Sequence, residues 1–144
     1  MSARLDADEM SRWIAWKRAT EHVMASVVSA ITEATGLSSA DFSVLTRVVE
    51  EGRGSIRQQR LSDDLDWERS RLSRQLARMH ERGLIVREGD TNERRITATD
   101  RGRALTAAAR EAHASAVRRA LLDVAGDSGP FWPTVDALGG TGRA

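Results

Sequence analysis

Arg69, Ser70, Arg71, Ser73, Arg74 and Arg78 crowd into one short stretch of the chain. A guanidinium is a planar, permanently charged fork that can grip a phosphate, or the N7 and O6 edge of a guanine, through two parallel hydrogen bonds. Serine keeps such a surface low, so that a partner can approach closely. A second charged group follows at Asp90, Glu93, Arg94 and Arg95. A carboxylate ahead of an Arg-bearing turn suits a guanidinium held for a narrow, negative groove. Each group has a plainer reading by itself, as the solvated face of an amphipathic helix or as a charged hairpin.

Other chemistry finds little support. The chain has no cysteine, which excludes disulfides, thiol catalysis, thiolate metal sites and a thiol-oxidation switch. His22, His80 and His113 are too scattered to suggest a metal site. No Gly-rich phosphate loop, nucleophile elbow or metal-ligand spacing occurs. Asp63, Asp64 and Asp66 sit in a turn, where carboxylates cap or solvate. The chain is therefore not expected to be an enzyme, with no catalytic residue, metal or cofactor. Trp13, Trp16 and His22 are the candidate ligand-binding residues, two apolar rings and a polar group such as a small-molecule pocket needs. The alternative makes both tryptophans core or interface anchors.

The 144 residues, 40% hydrophobic and 30% charged, are expected to form a single domain with a real core. The longest apolar stretch free of charge, Val23 to Thr32, is too short to cross a bilayer, so no membrane partner is expected. Asp6, Asp8 and Glu9 precede the first apolar run, the reverse of a basic signal-peptide start, and a cytoplasmic location is expected. Net charge is only +1, but it is unevenly spread. Residues 1–52 carry 5 basic and 8 acidic side chains, residues 53–103 carry 13 and 9, and residues 104–144 carry 4 of each. The basic middle matches a nucleic-acid footprint. All basic residues but Lys17 are arginine, which a GC-rich coding sequence would also produce.

Apolar periodicity predicts the elements that position these groups. Trp13, Trp16, Val23, Val27, Ala30, Ile31 and Ala34 recur at three- and four-residue steps, giving a helix over 8–35 that Gly36 ends. A second helix from Ser39 or Asp41 turns Phe42, Leu45, Val48 and Val49 inward, and a third runs from about Gln58 to Asp64. After a four-residue break, Asp64 to Trp67, a fourth runs from Glu68 to about Arg82, with Leu72, Leu76 and Met79 facing the core. Its outer face is then Ser70, Arg74 and Ala77, with Glu68 capping the helix or pairing with Arg69 or Arg71. Beyond Gly83 the period drops to two. Residues 84–87 and 95–99 read as strands around the turn Gly89-Asp90-Thr91-Asn92. Thr99 can cap a further helix reaching about Ala125, and Phe131 to Leu138 forms a last one with Pro133 in its first turn.

From Leu61 to Thr99, with Gly83-Leu84-Ile85, the turn Asp90 to Arg95 and Thr99-Asp100-Arg101-Gly102, the sequence resembles the MarR family of regulators. The likeness extends over about residues 8–125. It implies a mainly α fold with a small β-hairpin wing: a winged helix-turn-helix lobe over 39–99 and a helical dimerisation region over 8–35 and 100–138. It also implies a homodimer that reads double-stranded DNA with the fourth helix and inserts a wing-tip arginine, here Arg94. Arg57 departs from the family's frequent capping threonine, and Trp67-Glu68 from its usual small aliphatic residue and serine.

Dimerisation has separate support. Helix one is more apolar than a small lobe can cover, the alanines from Ala108 to Ala116 allow close helix packing, and Phe131, Trp132 and Leu138 would otherwise be exposed. The expected function is that of a sequence-specific DNA-binding transcription regulator, a repressor released by a small aromatic effector, acting on a palindromic operator; an activator fits the same residues. The alternative is a winged-helix module for protein contacts without DNA binding.

Overall fold

The computed structural model of the chain describes residues 3–90 and 93–140. The expected turn residues Thr91 and Asn92, and residues 141–144 of the glycine-rich end, lie outside the described residues. Helix α1 spans Ala7–Thr35, and α2 spans Ser39–Thr46 before a π-helical turn at Arg47–Glu51. Strand β1 (Ser55–Arg57) leads into α3 (Gln58–Leu65) and α4 (Arg69–Glu81). Strands β2 (Ile85–Glu88) and β3 (Arg95–Ala98) follow, then α5 (Asp100–Val117), a π-helical turn (Arg118–Leu122), α6 (Asp123–Ala125) and α7 (Phe131–Leu138). Val28–His113 form one compact unit; Met1–Val27 and Ala114–Ala144 form a second.

The core lies in the 28–113 unit. Leu72, Leu76 and Met79 are fully buried, as their spacing predicts, together with Leu37, Leu61, Leu84, Ile85 and Ile96. Val44 and Leu45 on α2 and Val48 in the π-helical turn after it are also fully buried. Phe42 and Val49, expected inward, are only half-buried. Ser38 starts that helix with a capping box: its hydroxyl accepts the Asp41 N–H at 3.0 Å, and the Asp41 carboxylate accepts the Ser38 N–H at 2.9 Å.

Between α3 and α4 the break is shorter than expected, because Leu65 still belongs to α3. Asp66 turns the chain in the left-handed region (φ 52°), and the Ser62 hydroxyl donates to the Trp67 carbonyl at 2.9 Å. Gly83 (φ 73°) closes α4 as its position predicts. Thr99 caps α5, accepting the Gly102 N–H at 3.0 Å and donating to the Gly83 carbonyl at 2.5 Å.

The sheet has three antiparallel strands in the order β1-β3-β2, one more than the hairpin expected from sequence. Ser55 faces Thr97 and Arg57 faces Arg95 in the β1–β3 register, while Ile85 faces Ala98 across β2–β3. A run of three residues, polar-apolar-polar, is too short to signal a strand locally. Strand β1 exists because β3, some forty positions later, supplies its hydrogen-bond partners.

In the second unit, α7 begins at Phe131 with Pro133 in its first turn, as expected. The Trp132 indole N–H donates to the Gly126 carbonyl at 2.8 Å, and Phe131 meets the indole edge-on. Met10, Trp13, Ile14, Trp16, Met24, Phe131 and Leu138 all remain exposed.

Candidate nucleic-acid interface

Burial of Leu72, Leu76 and Met79 fixes the roll of α4, so its opposite face must look outward. Arg69, Ser70, Arg71, Arg74 and Arg78 are exposed there, and Ser73 is half-buried. Three of the four guanidiniums are held. Arg69 donates to the Gln59 carboxamide oxygen at 2.9 Å, Arg78 donates to that of Gln75 at 2.9 Å, and Arg71 lies 4.1 Å from the centre of the Trp67 ring. Arg74 has no hydrogen bond among the described residues.

Glu68 occupies the cap position of α4 but makes no side-chain cap bond, and it pairs with neither Arg69 nor Arg71. The expected role is taken over by Gln59 and Trp67, which engage the two arginines instead. The first N–H groups of α4 therefore lack a side-chain acceptor, leaving donors suited to an anion.

These donors border a cleft of about 650 Å³ between α3, α4 and the start of β3. Arg57, Arg69 and Arg94 line it with Ser70, Ser73 and Gln59, and none of its lining residues is acidic. Arg94 is half-buried; its carbonyl accepts the Gln58 N–H at 2.8 Å, which ties the wing to the start of α3. Arg95 reaches across the sheet, its Nε donating to the Ser55 hydroxyl at 3.1 Å. Asp90 is exposed, and no ion pair joins it to Arg94 or Arg95 among the described residues. Arg57, the register partner of Arg95, lines the cleft, while the Arg95 guanidinium is held by Ser55.

Arg57, Gln58 and Gln59 escape sequence reasoning as site residues. Arg57 ends β1 and the two glutamines open α3, a junction that is invisible without β3. Trp13, Trp16 and His22 lie on exposed positions of α1, and no ring contact joins them among the described residues.

Beneath α4, the Asp41 carboxylate is 3% exposed and accepts bonds from Gln75 and Arg82, each at 2.7 Å. Burial alone would raise its pKa. The Arg82 hydrogen bond, the Ser38 N–H and the Arg82 charge outweigh that and hold the carboxyl below its ordinary range. On α5, Arg110 grips the Glu50 carboxylate through two hydrogen bonds and lies over the Phe42 ring.

The chain is similar to known regulators in structure. AbsC, a MarR family transcriptional regulator from Streptomyces coelicolor, superposes with a TM-score of 0.79 at 22% identity, covering 95% of this chain and 93% of that one. Sco3205, a MarR family regulator of the same organism solved in complex with DNA, gives 0.77 at 22% identity, covering 94% and 88%. A MarR family regulator from Rhodococcus sp. RHA1 gives 0.68 at 24% identity, covering 95% and 93%. The chain has the MarR fold.

Within the MarR fold, residues 37–93 also match a family model described as a domain of unknown function, DUF7343. No curated protein matches the sequence. No helix among the described residues is long and apolar enough to cross a membrane.

Proposed function

We propose that this chain is a sequence-specific duplex DNA-binding transcription regulator that works as a homodimer. The observation that carries the reading is the continuity of the arginine face of α4 with the acid-free cleft holding Arg57, Arg69 and Arg94. Such a surface supports phosphate contacts that set register, with Ser70 and Arg74 left to meet base edges. The wing arginines Arg94 and Arg95 and the turn residue Asp90 complete the interface. Fluorescence anisotropy with duplex DNA flanking the chain's own gene, against a scrambled duplex over a salt series, tests it. Selective binding that saturates at two chains per site is expected. No binding even at low salt would move the reading to a winged-helix module for protein contacts.

Each phosphate contact contributes about 0.9 to the slope of log affinity against log salt. Replacing Arg57, Arg69 and Arg94 together by alanine is therefore expected to flatten that slope by between two and three on any duplex. Arg74→Ala should instead relax base preference at one position, at a cost of about 1–3 kcal/mol if its contact is bidentate. An unchanged slope in the triple variant, with the fold intact, would remove the cleft from the interface.

Residues 8–35 and 100–138 are the dimerisation region in this reading. Support comes from apolar side chains that one chain leaves exposed, including Trp13 at 51%, Met24 at 64% and Leu138 at 66%. A two-fold dimer would cover them and match a palindromic repressor site with half-sites about one helical turn apart. Sedimentation velocity is expected to give a dimer that Trp13→Glu combined with Trp16→Glu converts to monomer; a wild-type monomer at micromolar concentration would refute it. A small aromatic effector at Trp13, Trp16 and His22 is the accompanying proposal for release, and a thermal-shift series with phenolic acids tests it through stabilisation of the folded chain.

A further inference from the structure

Asp41 and Gln75 are 3% and 5% exposed, yet both are polar and stand between α2 and α4. An ionised carboxylate only accepts hydrogen bonds, whereas a carboxamide has one accepting and one donating end. Because Asp41 Oδ1 faces Gln75, the carboxamide must turn its NH2 inward, where Nε2 donates to Oδ1 at 2.7 Å. Its oxygen is thereby turned outward, towards a residue one turn further along α4. There Oε1 accepts the Arg78 Nη2–H at 2.9 Å. The other Asp41 oxygen is occupied by Arg82 at 2.7 Å and by the Ser38 N–H at 2.9 Å, so the carboxylate cannot rotate without losing bonds. A chain of hydrogen bonds thus runs from a buried carboxylate on α2 to a guanidinium on the exposed face of α4.

We propose that Asp41 and Gln75 are positioning residues that orient Arg78 for reading DNA from beneath the helix. The proposal rests on the DNA-binding reading above. An oriented guanidinium loses less freedom on contact than a mobile one and presents its fork in one direction. Arg74, with no such partner, keeps its rotamers, so the two arginines differ in preorganisation although both are charged and exposed.

A purely structural role would weaken binding to every duplex alike, whereas a positioning role acts on discrimination. Gln75→Met keeps the side chain's bulk and leaves the Arg78 charge in place, so attraction to phosphates persists. The test uses the full chain and a duplex recovered by selection from a random pool. Affinities for that duplex and for a scrambled one are measured for wild type, Gln75→Met, Arg78→Ala and the double variant. Gln75→Met is expected to bind the scrambled duplex within about twofold of wild type and the selected duplex about tenfold more weakly. The double variant is expected to be no weaker on the selected duplex than Arg78→Ala alone. Losses that multiply in the double variant would overturn the positioning role and leave the DNA-binding reading intact. A wild-type chain that binds no duplex would overturn both. Should Gln75→Met not fold, side-chain 15N relaxation of the free wild-type protein decides. The Arg78 Nε–H is expected to be as ordered as that of Arg82, and motion matching Arg74 would overturn the proposal.

Discussion

Replacing Gly102 by alanine is expected to lower the thermal midpoint by about 10 °C. A Cβ built at Gly102 would stand 2.1 Å from the Leu84 carbonyl oxygen and 3.1 Å from its carbon. That carbonyl accepts the Thr99 N–H at 3.1 Å, and Gly102 gives its own N–H to the Thr99 hydroxyl at 3.0 Å. The start of α5 therefore lies backbone to backbone against the segment entering β2. Alanine would gain about 1 kcal/mol in helix propensity. Forcing a methyl into close-packed structure costs about 1–3 kcal/mol or more, and a hydrogen-bonded carbonyl cannot swing aside as a flexible side chain could. At 2.1 Å from a backbone oxygen the cost lies at the top of that range or above it, so the clash wins by about 2 kcal/mol or more. Gly139→Ala is the control, because its Cβ would meet Val135 at an ordinary 3.4 Å, and a change below about 2 °C is expected there. A Gly102→Ala chain melting with the wild type, followed by circular dichroism, would show that the two backbones separate without cost.

Asp41→Asn is expected to cost about 3 kcal/mol at neutral pH and to change how the protein responds to acid. Asp41 takes bonds from three donors: the Ser38 N–H, Gln75 Nε2 and Arg82 Nη1. Asparagine has one oxygen and turns an NH2 against at least one of those donors. A buried donor left without an acceptor costs about 1–3 kcal/mol, and the broken capping box adds about 1 kcal/mol. Arg82 is partly exposed and regains water, which keeps the total below that of a fully buried ion pair.

The folded carboxyl ionises more readily than the ordinary aspartate value of 3.8. Its stabilisation is therefore complete above that value and disappears as pH falls towards the lower folded one. Urea unfolding at stepwise lower pH should show wild type and Asp41→Asn converging below about pH 4. A stability gap independent of pH would mean that the Asp41 charge contributes nothing.

Much of this protein can be read along the chain, because helix and strand periods are local. Leu72, Leu76 and Met79 recur at three- and four-residue steps, which defines the inner face of α4 and, by exclusion, the outward set Ser70 and Arg74. The drop from a period of 3.6 to one of two marks the wing, and Thr99 followed by Gly102 marks the start of α5. What the motif does not disclose is why the glycine is needed, since that depends on the Leu84 carbonyl lying against it.

Tertiary structure alone decided the partners of the charges. Strand β1 needed β3, and with it Arg57, Gln58 and Gln59 entered the cleft wall opposite Arg94. Arg71 found the Trp67 ring, Arg69 found Gln59 in place of Glu68, and Arg95 found Ser55 in place of Asp90. The hydrogen-bonded chain from Asp41 through Gln75 to Arg78 joins residues more than thirty positions apart. Periodicity determines which side of an element faces the core. A hydrogen bond requires two particular atoms within about 3 Å, a condition that the sequence meets only once its helices have been packed.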